Sequence, residues 1–219
     1  SRPGAPLISA EEEMERVLPV LREIRNEIPD VLISVDTVHG AVVREAAEQG
    51  VDSINDISAG RMDDDMLPAV SDVGLPYILM HMQGTPDTMQ RNPTYDNIVR
   101  ELLDFFVERL ELLHNLGIKD ILVDPGFGFG KTVDHNYDLL ANLDVFRQFQ
   151  RPVVAGISRK SMINKVLDVS PGEALHGTGV LHFAALENGA DILRAHDVRE
   201  AKQVISLFEK YTERLEEGQ

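Results

Sequence analysis

Residues 31–55 read Val-Leu-Ile-Ser-Val-Asp-Thr-Val-His-Gly-Ala-Val-Val-Arg-Glu-Ala-Ala-Glu-Gln-Gly-Val-Asp-Ser-Ile-Asn, and two periodicities alternate within them. Residues 31–36 are an aliphatic run ending on a carboxylate, the composition of a buried strand. Residues 39–49 have the spacing of an amphipathic helix, closed by Gly50. Residues 51–55 are a second short strand, again with a polar end. A strand, a helix and a strand in so short a stretch form a βα unit whose strands run parallel through a right-handed crossover.

The same alternation continues outward on both sides. Strands are expected at residues 76–81, 120–124, 152–156 and 191–194, and helices at 66–71, 96–116, 136–146, 161–167, 172–188 and 198–215. In the long helix, Leu102, Leu103, Phe106, Leu110 and Leu113 share one face. A further helix is expected at 10–27. Six strand-then-helix units result, in a single domain over residues 1–219. The polar residues Asp36, Asn55, His81, Asp124, Ser158 and Arg194 or His196 fall at or just past strand C-termini. In an open sheet only those near a switch point would meet; in a closed barrel all converge on one mouth. The expected fold class is therefore α/β, a (β/α)8 TIM-type barrel. Such a barrel has eight strands, so the first two are expected to precede Ser1 and the domain to be incomplete at its N-terminus.

Composition narrows the function. Hydrophobic residues at 43% suffice for a core, and aromatics at 5% with no Trp make that core aliphatic. A formal net charge of -16 argues against nucleic-acid partners and against anionic membranes. It leaves room for a locally positive site that takes a small anion. The absence of Cys excludes disulfides, thiolate metal sites and a Cys nucleophile, and fits a cytoplasmic protein. No apolar run has membrane-spanning length.

Three stretches carry chemistry. Asp124-Pro-Gly-Phe-Gly-Phe-Gly-Lys131 puts a carboxylate at a strand end, followed by glycines that permit close backbone approach. It lacks the Walker spacing. It reads either as a wall for a planar amino-heterocycle, with Phe127 or Phe129 as the flat surface, or as a plain Gly-rich turn with a capping Asp. Gly156-Ile-Ser-Arg-Lys-Ser161 sets two adjacent cations at a helix start, where the helix dipole disfavours them. That suits an anion or an electron-rich ring, or else a solvated pair. Arg194-Ala-His196-Asp197 places Arg194 and His196 on one strand face, able to donate to a diphosphate, or else an Arg–Asp surface pair beside a satisfied His. Asp36-Thr37 and Asn55-Asp56 taken alone are helix caps. His39, His114, His135, His176 and His182 are scattered, without metal-ligand spacing.

Taken in order, Ser1-Arg-Pro-Gly-Ala5, Ser34-Val-Asp-Thr37, Ile54-Asn-Asp-Ile57, Met80-His-Met-Gln-Gly84 with Pro86 and Met89-Gln90, the Asp124–Lys131 run, the Gly156–Ser161 run and Arg194-Ala-His-Asp-Val198 resemble the dihydropteroate synthases. The resemblance implies a folate-pathway transferase. It would join 6-hydroxymethyl-7,8-dihydropterin diphosphate to p-aminobenzoate, with sulfonamides competing for the second substrate. It implies a homodimer and Mg2+ as cofactor. It further implies that Asp36, Asp124 and Lys160 are catalytic, and that Asp36, Asn55, Met80, Asp124, Gly156 and Lys160 hold the pterin. Ser1, Arg2, Pro3, Phe129, Lys160 and Ser161 would meet p-aminobenzoate, and Ser158, Arg194 and His196 the diphosphate. No metal ligand is expected in this chain, because the family's ligand Asn belongs to the loop after the first strand. A barrel lacking two strands is expected to fold poorly or not to turn over alone. Two other readings remain at this level: a pterin-dependent methyltransferase and a non-catalytic pterin-binding fragment.

Overall fold

All six expected strands are present in residues 6–217, which the computed structural model describes. Helix α1 (Ala10–Glu27) leads into β1 (Ser34–Asp36), α2 (Gly40–Glu48), β2 (Ser53–Asp56), α3 (Met66–Val73), β3 (Tyr77–Met80) and α4 (Ile98–Asn115). Then follow β4 (Ile121–Asp124), α5 (Val133–Ala141), a 3-10 helix (Leu143–Phe149), β5 (Val154–Ala155), α6 (Ser161–Leu167), α7 (Leu175–Glu187), β6 (Ile192–Leu193) and α8 (Val198–Glu217). Strands β1 to β4 pair in sequence order, all parallel, with Ser34 opposite Ser53, Ile54 opposite Tyr77 and Met80 opposite Asp124. A single parallel bridge from Val123 to Val153 joins β4 to the segment entering β5, and β5 pairs with β6. Consecutive strands are thus neighbours throughout, the order of a barrel wall.

The helix expected over 136–146 is instead broken in two. Helix α5 starts at Val133, three residues before the expected start, and Thr132 caps it, its Oγ1 accepting from the His135 N–H while the His135 ring accepts from the Thr132 N–H. This reciprocal pair fixes the first turn. At the other end Asn142 donates its side-chain amide to the Asp138 carbonyl and takes φ -120. Such back-bonding by Asn competes with helix propagation, and the chain resumes as the 3-10 helix.

The strands are shorter than expected at their starts, and β1 and β5 share one reason. The Ile33 N–H donates to Asp52 Oδ2 at 2.7 Å, and the Val153 N–H to Asp191 Oδ2 at 2.8 Å. In each case a carboxylate two residues past a helix-ending glycine, Gly50 or Gly189, replaces a ladder bond. Asp52 also accepts from Arg25 at 2.8 Å, which ties α1 to the base of the wall. The core lies between wall and helices. Ile54, Leu79 and Val123 from the strands and Phe106, Leu113 and Phe146 from the helical layer have no solvent exposure. Phe106 meets Phe146 edge to face with centroids 5.6 Å apart, a favoured aromatic arrangement. With the starts of the strands closed by these clamps, the polar side chains at the opposite ends are free to build a site.

Candidate active site

One cavity of about 910 Å³ opens at the C-terminal ends of the strands. Asp36 from β1, Met80 from β3, Asp124 from β4, Gly156 and Ser158 after β5 and Arg194 and His196 after β6 all line it, with Phe129, Lys160 and Ser161 from the loops. The expected residues within the described range therefore meet, with two exceptions: His81 is buried against Lys131 and does not line the cavity, and Asn55 stands behind the front row. It is buried and donates its amide to Asp36 Oδ1. Ser1, Arg2 and Pro3 lie outside the described residues.

Asp36 is held from two sides. Arg194 Nη2 reaches across the mouth to Asp36 Oδ2 at 2.5 Å, while Asn55 holds the other oxygen. Both partners of the ion pair stay partly open, at 49% and 36% side-chain exposure. A ligand can compete for either, and a pair this exposed adds little stability of its own. Asp124 is nearly enclosed. Its Oδ1 accepts from the Gly126 N–H at 2.7 Å. Burial pushes its carboxyl pKa up against the opposing pull of Lys160, the Gly126 N–H, Arg194 and Lys131.

The Ser158–Ser161 segment divides its two cations. Lys160 turns inward: Nζ donates to the Phe127 carbonyl at 2.5 Å and stands 4.8 Å over the Phe129 ring. Burial lowers its pKa to about 8, with Arg194 acting in the same direction and Asp124 and Asp36 opposing. It occupies the N-cap position of α6 but makes no capping bond, so its place there is explained by the cavity and not by the helix. Arg159, expected beside it as a second ligand cation, has another task. It forms a two-point ion pair with Asp197 at 2.7 and 2.9 Å and donates to the carbonyls of Pro171 and Gly172. Its backbone is left-handed, φ 53, a conformation disfavoured for a residue with a Cβ, and it turns successive side chains apart. Asp197 is thereby taken, and the alternative pairing of Arg194 with Asp197 does not form.

His196 and Ser158 are joined twice. The His196 N–H donates to Ser158 Oγ at 3.2 Å, and its Nδ1 lies 3.2 Å from the same oxygen. This leaves the ring edge and Arg194 side by side at the rim. Lys165 adds positive charge to the lining, where Arg159 is already matched by Asp197 and Arg194 by Asp36. Among the described residues no group of three or more His, Asp or Glu side chains is placed to share a metal ion.

Among the lining residues given no role from the sequence alone, Gln90 and Ile57 stand within motifs already quoted, and Gly128, Lys165 and Pro171 accompany them. Gln90 sits in a long loop and donates to the Gly128 carbonyl at 2.6 Å. Ile57 follows the strand end at Asn55 by two positions, so period-two alternation could have placed it on the same side. With Met80, Met82, Met89 and Val38 it forms a small apolar cluster at the mouth, with Phe129 packed on it.

The sequence pattern of the pterin binding enzymes matches residues 1–196. The dihydropteroate synthase of Escherichia coli strain K12 is 44% identical over 211 residues, covering 95% of this chain and 74% of that protein. The chain belongs to the dihydropteroate synthases of the pterin-binding family. Solved dihydropteroate synthases share its fold as a partial (β/α)8 barrel. The Yersinia pestis synthase in complex with a sulfonamide drug superimposes with a TM-score of 0.93 at 40% identity, over 97% of this chain and 77% of that one. The same bacterium's synthase with a pterine-sulfa conjugate gives 0.88 at 37%, over 95% and 79%. Membership among the dihydropteroate synthases favours the synthase reading over methyl transfer or a non-catalytic pterin binder. No helix among the described residues is long and apolar enough to cross a membrane.

Proposed function

We propose that the chain condenses 6-hydroxymethyl-7,8-dihydropterin diphosphate with p-aminobenzoate, giving 7,8-dihydropteroate and pyrophosphate. The observation that carries this reading is the division of one cavity into two chemistries. Carboxylates Asp36 and Asp124 share it with the donors Arg194, His196 and Ser158, and Arg194 crosses the mouth to Asp36.

The pterin edge presents N–H donors to Asp124 and Asp36, with the Asn55 amide one hydrogen bond behind. Met80 packs on its face, and Lys160 donates to its ring acceptors. The diphosphate extends to the rim, where Arg194, His196 and Ser158 donate to its oxygens. As the methylene C–O bond breaks, its electron pair leaves with pyrophosphate. Positive charge then grows on the pterin methylene near the two carboxylates, and negative charge on the leaving group near Arg194 and His196. Both charges meet partners already in place, which is electrostatic stabilisation of the transition state. The aromatic amine forms the new C–N bond and loses a proton to water. Phe129 and Ser161 line the side from which it arrives. Mg2+, which the family resemblance implies, would add its charge to that of Arg194 at the departing diphosphate.

The test is pyrophosphate release measured with and without p-aminobenzoate, for this chain and for Lys160→Ala. Support is release that requires the amine and falls at least about a hundredfold in the variant, the scale of losing a positioned donor in a closed site. Release indifferent to the amine defeats the reading. A homodimer is part of the same proposal. Val180 on α7 and Leu207 and Tyr211 on α8 leave large apolar surface exposed, as interface helices do.

A further inference from the structure

The Gly-rich loop after β4 has no regular secondary structure, yet each carbonyl from Gly126 to Gly130 accepts a side-chain hydrogen bond. Lys131 Nζ donates to Gly126 O at 2.9 Å and to Phe129 O at 2.9 Å. Lys160 donates to Phe127 O, Gln90 to Gly128 O and the Tyr95 hydroxyl to Gly130 O. Lys131 alone holds two of the five, and it does so from beneath. Its side chain is only 4% exposed, and its amine also lies 3.0 Å from His81 Nδ1 and 3.3 Å from the His81 carbonyl.

Burial holds the Lys131 pKa well below that of an ordinary lysine, against the pull of Asp124; charged or neutral, the nitrogen has protons to give the surrounding carbonyls. Burial, and then the charges of Lys131 and Arg61, lower the His81 pKa, so a neutral ring lies beside the amine. His81 directly follows Met80 of β3, so one amine joins the end of β3 to the loop after β4. The loop rests hard on that joint. A Cβ on Gly126 would stand 2.0 Å from the His81 carbonyl oxygen. Above the joint, Phe129 turns its ring into the cavity beneath the Lys160 amine.

We propose that Lys131 is a positioning residue: by pinning the Phe129 and Gly126 carbonyls to His81 it sets where the Phe129 ring stands, and so governs affinity for the aromatic amine substrate more than for the pterin. The inference rests on the proposed synthase reaction for the identity of that substrate. The pinning itself does not. The Lys131 charge acts on Asp124 and Lys160, but its amine hydrogen-bonds none of the pterin-facing groups Asp36, Met80, Asp124 and Lys160, whereas it does hydrogen-bond the Phe129 carbonyl.

The experiment uses Lys131→Met, which removes every donor, and Lys131→Gln, which keeps two N–H protons. Steady-state pyrophosphate release gives KM for p-aminobenzoate and for the pterin diphosphate, and hydrogen exchange follows the amides of residues 126–130. Expected for Lys131→Met is a KM for p-aminobenzoate raised about tenfold, a KM for the pterin diphosphate within about twofold, and faster exchange confined to the loop. Lys131→Gln falls between the two. Equal rises in both KM values, or loop amides that exchange as before, overturn the proposal. If Lys131→Met does not fold, Lys131→Gln is judged by the same criteria. Should the unsubstituted chain release no pyrophosphate, the claim that it turns over alone fails by itself, and the pinning stands or falls on the exchange of the loop amides.

Discussion

Raising the pH should switch this site off well before an ordinary lysine would lose its proton. Burial brings the Lys160 pKa from 10.5 to about 8. Only the cation is attracted to the face of the Phe129 ring 4.8 Å away, and an ammonium has three protons where an amine has two. One proton goes to the Phe127 carbonyl, so deprotonation weakens both the hold on the ring and the donation left for a ligand. With a pKa of about 8, about nine tenths of the enzyme carries the cation at pH 7 and about one tenth at pH 9. The expected fall in kcat/KM between those two values is therefore about ninefold to tenfold. An unshifted lysine would lose almost nothing over the same range. The assay is pyrophosphate release at low substrate across pH 6.5 to 9.5, run beside Lys160→Arg, whose guanidinium stays charged throughout. The reasoning is refuted if activity is flat to pH 9, or if the same alkaline limb persists in Lys160→Arg.

Other consequences can be measured independently. Gly126→Ala should abolish turnover, because the new Cβ would meet the His81 carbonyl at 2.0 Å in a left-handed backbone, φ 71; normal kinetics would show that the loop can lift away. Arg159→Met removes a two-point ion pair and two carbonyl bonds, and should lower the midpoint of urea unfolding while leaving the Lys160 limb in place. An unchanged midpoint would mean the pair only decorates the surface. Leu207→Glu should convert a dimer to monomer in sedimentation, and a sedimentation coefficient identical to that of the parent would place the interface elsewhere.

Much of this was legible in the chain itself, and the limits have physical causes. The alternation of aliphatic runs and amphipathic stretches located all six strands, because buried parallel strands and their covering helices differ in period. The polar residues at strand ends converged because parallel strands all end on one side of a barrel. The sequence could not show which of Arg159 and Lys160 faces inward. That choice turns on a left-handed backbone at Arg159 and on Asp197, 38 positions away. Nor could it show that Arg194 would pair with Asp36 and not with Asp197, since the partners stand 158 positions apart. The Lys131–His81 contact was hidden for the same reason: one residue just past β3 and one at the end of the loop after β4, 50 positions apart, are brought together only by the fold.

The most direct test of the central claim follows the amine itself. With ring-labelled p-aminobenzoate and 6-hydroxymethyl-7,8-dihydropterin diphosphate, mass spectrometry of the products should find the label in 7,8-dihydropteroate, one equivalent for each pyrophosphate released. Pyrophosphate formed without incorporation of the label, or label found in any other product, would contradict it.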